Sequence, residues 1–217
     1  MTLVDLTQPF SDGMFSLSTL PRVTVQQIKT IEEHGVNITT VACSVHSGTH
    51  VDAPCHFIAG GRDAAALALE DVSGDAVCIA VPCEPLQEIT ARDLDRGNPD
   101  VRPGDIVLIH TGWGALFASD PQRYHRHPFL AEDAAEWLVD RGAKMVALDI
   151  PTPDRPEELR PAGFAFPVHH ILLGNDVLVA EHLAGLEQVA RRRVRAYAFP
   201  IPIVHADGSA VRFVAEL

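Results

Sequence analysis

The sequence predicts an α/β domain built on a mixed sheet. Short apolar runs of strand length recur along the chain, each bounded by glycine or proline. In the middle of the chain these runs alternate with helical segments, whereas strands dominate elsewhere. The composition agrees with an ordinary globular protein: of 217 residues, 47% are hydrophobic and 21% charged, so the chain can bury a core. One domain over residues 1–217 is expected, because no repeat or long linker divides it.

The elements follow in order. Val77–Val81 is an apolar run between Gly74 and Pro82 and reads as a buried strand. Pro103 and Gly104 signal a turn, after which Ile106–His110 forms a second strand. A helix is predicted over Ala131–Arg141, acidic in its early turns, with Ala134, Trp137 and Leu138 on its apolar side and Gly142 as a left-handed stop. Met145–Ile150 is the next strand. Residues 151–167 carry five prolines and read as one long irregular excursion, of the kind that often serves as a lid or binding loop. A short helix is predicted over Val168–Leu173, closed by Gly174, and strands over Val177–Ala180 and Arg195–Val204.

The formal charge of −12 repels phosphate backbones and argues against a nucleic-acid partner. The opening MTLVDLTQPFSDG has neither a basic nor an apolar stretch of a secretory signal, and no apolar run reaches the roughly 18 residues of a membrane span. A cytoplasmic protein without a membrane partner is expected, its four cysteines free, buried thiols.

Histidine is the conspicuous residue: eleven occur, and three crowd between His46 and His56 in the segment VHSGTHVDAPCHF. Gly48, Thr49, Val51 and Pro54 argue against a helix there. In an extended chain His46, His50, Asp52 and His56 share parity and point to one side. Full extension fails, because four extended residues span about 13 Å and metal ligands must converge far more closely. The chain must therefore bend, at Ser47 and Gly48 and again at Pro54. Imidazoles with a carboxylate suit Zn²⁺, Mn²⁺ or a similar divalent ion, without choosing among them.

The segment resembles the HxGTHxDxPxHF signature of the cyclase family of metal-dependent hydrolases, which includes bacterial kynurenine formamidases and isatin hydrolases. Further similarity lies in Val4–Thr7, Leu108–Trp113, Val146–Asp149, His169–Leu173 and Val179–Leu183, so it covers most of the chain. The resemblance implies a mixed-sheet swivelling β/β/α domain, usually dimeric or tetrameric, with residues from a partner's N-terminal region near the active site. It implies His46 and His50 as ligands of a first metal, Asp52 as a shared carboxylate, His169 as a ligand of a second metal and Glu181 as a second bridging carboxylate. His170 stands as the alternative to His169, and one ion or two are both compatible. His56 is implied as the proton-transferring catalytic residue. Zinc is the expected metal, with manganese as the alternative.

The family's N-terminal tryptophan has no counterpart; Phe15 stands in that region and, with Phe164 and Phe166, is a candidate substrate contact. The resulting expectation is an arylformamidase-like amidohydrolase acting on a C–N bond of a small aromatic molecule. A cyclic amide or lactone hydrolase, a cyclase and a non-catalytic metal-binding module are the alternatives. The remaining histidines are assigned to the surface or to structural hydrogen bonds, and the remaining acids to solubility.

Overall fold

The computed structural model describes residues 2–97 and 100–217. In chain order the strands are β1 (Leu3–Asp5), β2 (Thr24–Lys29), β3 (Ile38–Ala42), β4 (His50–Asp52), β5 (Ser73–Ala80), β6 (Glu88–Ile89), β7 (Ile106–His110), β8 (Phe129–Leu130), β9 (Met145–Leu148), β10 (Leu178–Glu181), β11 (Arg193–Tyr197), β12 (Gly208–Ala210) and β13 (Val214–Glu216). The helices are α1 (Ile31–His34), α2 (Ala91–Gly97), α3 (Leu116–Ser119), α4 (Pro121–Tyr124), α5 (Glu132–Asp140) and α6 (Pro167–Gly174).

Nine strands form one mixed sheet in the order β1-β13-β11-β5-β7-β9-β10-β4-β12. Its centre, β5-β7-β9-β10, is parallel, and the flanking strands pair antiparallel. The sheet curls on itself: Thr7, just past β1, bridges Leu183, just past β10, although the two strands lie far apart in sheet order.

The parallel centre is apolar on both faces because both are covered. Ala76, Cys78, Ile106, Leu108, Met145 and Ala147 point into the curl. The alternate residues Val77, Ile79, Val107, Ile109, Val146 and Leu148 pack under the helices, against Leu94 of α2, Leu138 of α5 and Leu172 of α6. The same alternation reaches β4 and β10. Val51 and Ala180 face the curl, so His50, Asp52 and Glu181 take the helix-bearing face with Val179. That parity places the polar residues where α6 can reach them.

Several expectations need correction. Gly174 is the last residue of α6 and does not stop it; the left-handed residue is Asp176, at φ 61°. Gly142 does act as predicted, at φ 73°. The late strand ends at Tyr197, and Phe199, Ile201 and Val204 beyond it are exposed instead of paired. The β2-β3 hairpin was not read from the sequence. Its residues are almost wholly exposed, so no buried face leaves an apolar period to read. The cysteines are free, but Cys43 is exposed and Cys55 and Cys83 are half-buried; only Cys78 is buried.

Candidate metal centre

The loop ahead of β4 turns where the sequence requires it. Gly48 has φ 64°, and its carbonyl oxygen accepts a hydrogen bond from His50 Nδ1 at 2.8 Å. A backbone acceptor fixes the proton on Nδ1 and leaves Nε2 to face the centre. There it lies 3.2 Å from Asp52 Oδ1 and 3.4 Å from Glu181 Oε2. Glu181 stands directly opposite His50 in the β4–β10 pair.

His169 arrives from α6 and is oriented in the same manner. Its Nδ1 meets Asp154 Oδ2 at 2.6 Å, while Nε2 lies 3.3 Å from Glu181 Oε1 and 3.5 Å from Asp52 Oδ2. His170, the next residue, is exposed. Asp154 also accepts the backbone N–H groups of Val168 and His169, each at 3.1 Å, so one buried carboxylate anchors both the first turn of α6 and its histidine.

His46 bridges two acids, with Nδ1 2.8 Å from Asp52 Oδ1 and Nε2 3.0 Å from Asp207 Oδ2. His56, on the short 3-10 turn Pro54–His56 that Pro54 initiates, stacks on His46 at 4.0 Å between ring centroids. Its Nδ1 reaches the same Asp207 oxygen at 3.1 Å.

The structure therefore brings all six predicted polar residues together. Asp52, His169 and Glu181 form one donor group, His46, Asp52 and His56 a second, and His50, Glu181 and His182 a third. The donor set is hard-to-borderline nitrogen and oxygen, as a divalent ion requires. His50 Nε2 and Asp52 Oδ2 are buried without a hydrogen-bond partner, and an ion between these groups would satisfy both. The residues fit a divalent metal.

The electrostatics agree. Burial disfavours a charged His50, but the close carboxylates of Asp52 and Glu181 overcome it and push the group up to about 10. His169 is raised by Asp154, Asp52 and Glu181 against the same opposition from burial. Burial would raise Asp52 and Glu181, yet the surrounding imidazoles hold both below the usual carboxylate range. His56 behaves differently: burial, with the neighbouring imidazoles His46 and His169, lowers it despite the pull of Asp52. Without an ion, cationic imidazoles balance the acids.

Three participants were missed by the sequence reading. Asp154 and Asp207 fell among the acids assigned to solubility; Asp149 lies outside the donor groups, where it accepts from Thr111 and Gly112 and ties the end of β7 to β9. His182 was left in the background. It is buried, with φ 59°, its Nδ1 is 2.9 Å from the Tyr124 hydroxyl, and burial together with charge from His50 pushes it down to about 3.

A cavity of about 210 Å³ opens onto the centre, with His46, His56, His169 and Glu181 on one side and Leu17, Phe57 and Phe166 among its apolar walls. Phe57 stacks on His169 at 4.4 Å. Phe164 lies behind Phe166, with ring centroids 5.1 Å apart, and lines an adjacent hollow. Phe15 is buried behind the centre, edge-on to Tyr124 at 4.9 Å and 5.7 Å from the His182 ring.

Residues 4–155, most of the chain, match the sequence family "Putative cyclase". The protein belongs to the cyclase family. A kynurenine formamidase of Erythrobacter litoralis is 33% identical over 180 residues, covering 82% of this chain and 76% of the relative. A Bacillus cereus kynurenine formamidase is 26% identical over 97% of this chain and 95% of its own length. Isatin hydrolase A from Ralstonia solanacearum superposes with a TM-score of 0.87 over 99% of this chain and 91% of that one; at 23% identity this speaks for the cyclase-family fold alone.

Proposed function

We propose that the protein is a metal-dependent amidohydrolase of arylformamidase type, carried by one domain over residues 1–217, that cleaves the C–N bond of a small aromatic amide. The observation that carries this reading is the opening of a buried His/Asp/Glu centre into a cavity walled by Phe57 and Phe166. A structural metal site would instead be closed by its protein ligands. The similarity to kynurenine formamidases supports the same reaction class.

His46, His50 and Asp52 would hold one ion, and Asp52, His169 and Glu181 a second. Zinc is the proposed metal, with manganese the competitor. When bound, the metal supplies Lewis acidity toward the carbonyl and makes water acidic enough to attack near neutral pH. His56 first takes a proton from the attacking water and then gives it to the departing amine: its neutral form is favoured, it lies at the cavity wall, and Asp207 orients its Nδ1. Phe166 and Phe57 receive the aromatic ring, with Phe164 supporting Phe166 from behind and Phe15 packing behind His182.

We further propose a cytoplasmic homo-oligomer, a dimer or tetramer. The exposed apolar side chains of the β2-β3 hairpin, Ile28, Ile38 and Val41, offer a contact surface. No described helix is long and apolar enough to cross a membrane.

The test is turnover of N-formylkynurenine beside isatin and a simple aryl lactone, with metal analysis of the purified protein. Formamide hydrolysis with one to two divalent ions per chain is expected, and full activity in metal-free protein refutes the proposal. His56→Ala should retain the metal and lose most turnover; loss of metal would make His56 a ligand.

A further inference from the structure

Arg160 sits on the proline-rich excursion and lines the cavity together with Phe166 and the metal centre. Its guanidinium carbon lies 4.8 Å from the Phe166 ring centroid and 5.7 Å from that of Phe164. The Nε–H donates to the Arg155 carbonyl oxygen at 2.7 Å, which fixes the plane of the fork and leaves the two terminal nitrogens for other partners. Among the described residues no carboxylate lies within ion-pair distance of it. The nearby acids are engaged elsewhere: Glu157 with Ser18, Glu158 with Arg126, and Asp154 with His169. The side chain is half-buried, and desolvation lowers its pKa.

A guanidinium drawn into an apolar wall without an anion gives up hydration that the described residues return only in part, through the Arg155 carbonyl. The two rings hold it in place through cation–π contact but do not neutralise it. A carboxylate on the ligand would, through charge-assisted hydrogen bonds to the two terminal nitrogens.

We propose that Arg160 is the anion subsite of this cavity, so that the preferred substrate is an aromatic amide bearing a carboxylate on or near its ring. Arg160 touches the substrate's non-reacting end and sets specificity; it takes no part in the proton transfers. The inference rests on the hydrolase reading above for the word substrate, whereas the subsite itself rests on the cavity and the unpaired guanidinium.

The test uses 2-formamidobenzoate and formanilide, which share the scissile aryl formamide and differ by one carboxylate. Zinc-loaded wild type, Arg160→Met and Arg160→Lys are compared. Methionine keeps most of the apolar stem and removes the charge. Arg160→Met should lose at least tenfold in kcat/KM on 2-formamidobenzoate and stay within threefold on formanilide, with partial recovery in Arg160→Lys. Equal losses on both substrates would make Arg160 a structural latch for the excursion and overturn the proposal, as would no loss on either. Should wild type hydrolyse neither compound, the formamidase reading fails on its own, and calorimetric binding of benzoate against benzamide decides the subsite. A benzoate preference that Arg160→Met abolishes supports it. A preference that survives the substitution reports carboxylate binding to the metal and overturns it.

Discussion

Asp154→Asn isolates the contribution of a carboxylate that touches no ion. Asp154 is 1% exposed and accepts three N–H groups, two from the backbone of α6 and one from His169. Asparagine keeps the shape and one acceptor oxygen. Its amide nitrogen, placed where Oδ2 now lies, would confront the proton on His169 Nδ1. The ring relieves that clash by moving its proton to Nε2, the atom that faces Asp52 and Glu181. A protonated Nε2 cannot bind a metal, so the substitution reaches the centre through the tautomer of a ligand that Asp154 does not itself replace. The amide nitrogen also leaves the His169 backbone N–H without its acceptor, so two buried charge-assisted hydrogen bonds are lost, at about 1.5–3 kcal/mol each. Loss of such an outer partner costs about 10- to 100-fold in metal affinity.

Competition with a chromogenic chelator reads the affinity, and urea unfolding of the metal-free protein reads the stability. Asp149→Asn is the control, since Asp149 is equally buried but serves Thr111, Gly112 and His110 instead of the donor groups. It should lower stability and leave zinc affinity within about twofold. Wild-type zinc stoichiometry and affinity in Asp154→Asn would refute the claim that Asp154 holds His169 as a ligand.

Three further outcomes are expected. His169→Ala should lower zinc content and abolish turnover, whereas His170→Ala, altering an exposed ring, should leave both within twofold; the opposite result would exchange their roles. His127 is buried, donates to the Pro128 carbonyl, and is pushed down to about 4, so the folded state holds it neutral while the unfolded chain protonates near 6.5. Its penalty is absent above that value and grows as pH falls toward 4, reaching about 2 kcal/mol at pH 5. His127→Asn should therefore flatten the fall in urea stability between pH 7.5 and 5, and an unchanged slope would refute it. In Gly208→Ala a Cβ would meet Val51 O at 2.9 Å and His46 Cε1 at 3.0 Å, so the His46 ring must give way. Turnover should drop by about 10- to 100-fold at a stability cost of about 1–3 kcal/mol, and wild-type kinetics would show that His46 has room to spare.

The parallel strands and the two longer helices were legible because their periodicity is strong. The predicted helix Ala131–Arg141 became Glu132–Asp140, and Ile106–His110 matched at both ends. The motif gave its donors for the same local reason: two turn-forming residues and an even spacing leave few ways to gather His46, His50, Asp52 and His56. Asp154, Asp207 and His182 carry no such local mark. An aspartate in a proline-rich stretch looks like any solvated acid until α6 is laid over it, and Asp207 meets His46 and His56 only because β12 pairs with β4.

Register joins the two kinds of information. Glu181 faces His50 because β10 and β4 pair with Val179 opposite Asp52, two residues along each strand from the Glu181–His50 pair. A slip of one residue would turn Glu181 into the curl, beside Leu108 and Ala147, and bring Ala180 to the centre. The apolar residues Leu178 and Ala180 forbid that slip, since it would bring both out of the curl's core. The hydrophobic pattern of one short strand thus holds the remote donor in place. That is why His50 and Asp52 could be read from one segment of thirteen residues, while their partner Glu181 lies more than a hundred residues away and depends on the packing of the whole sheet.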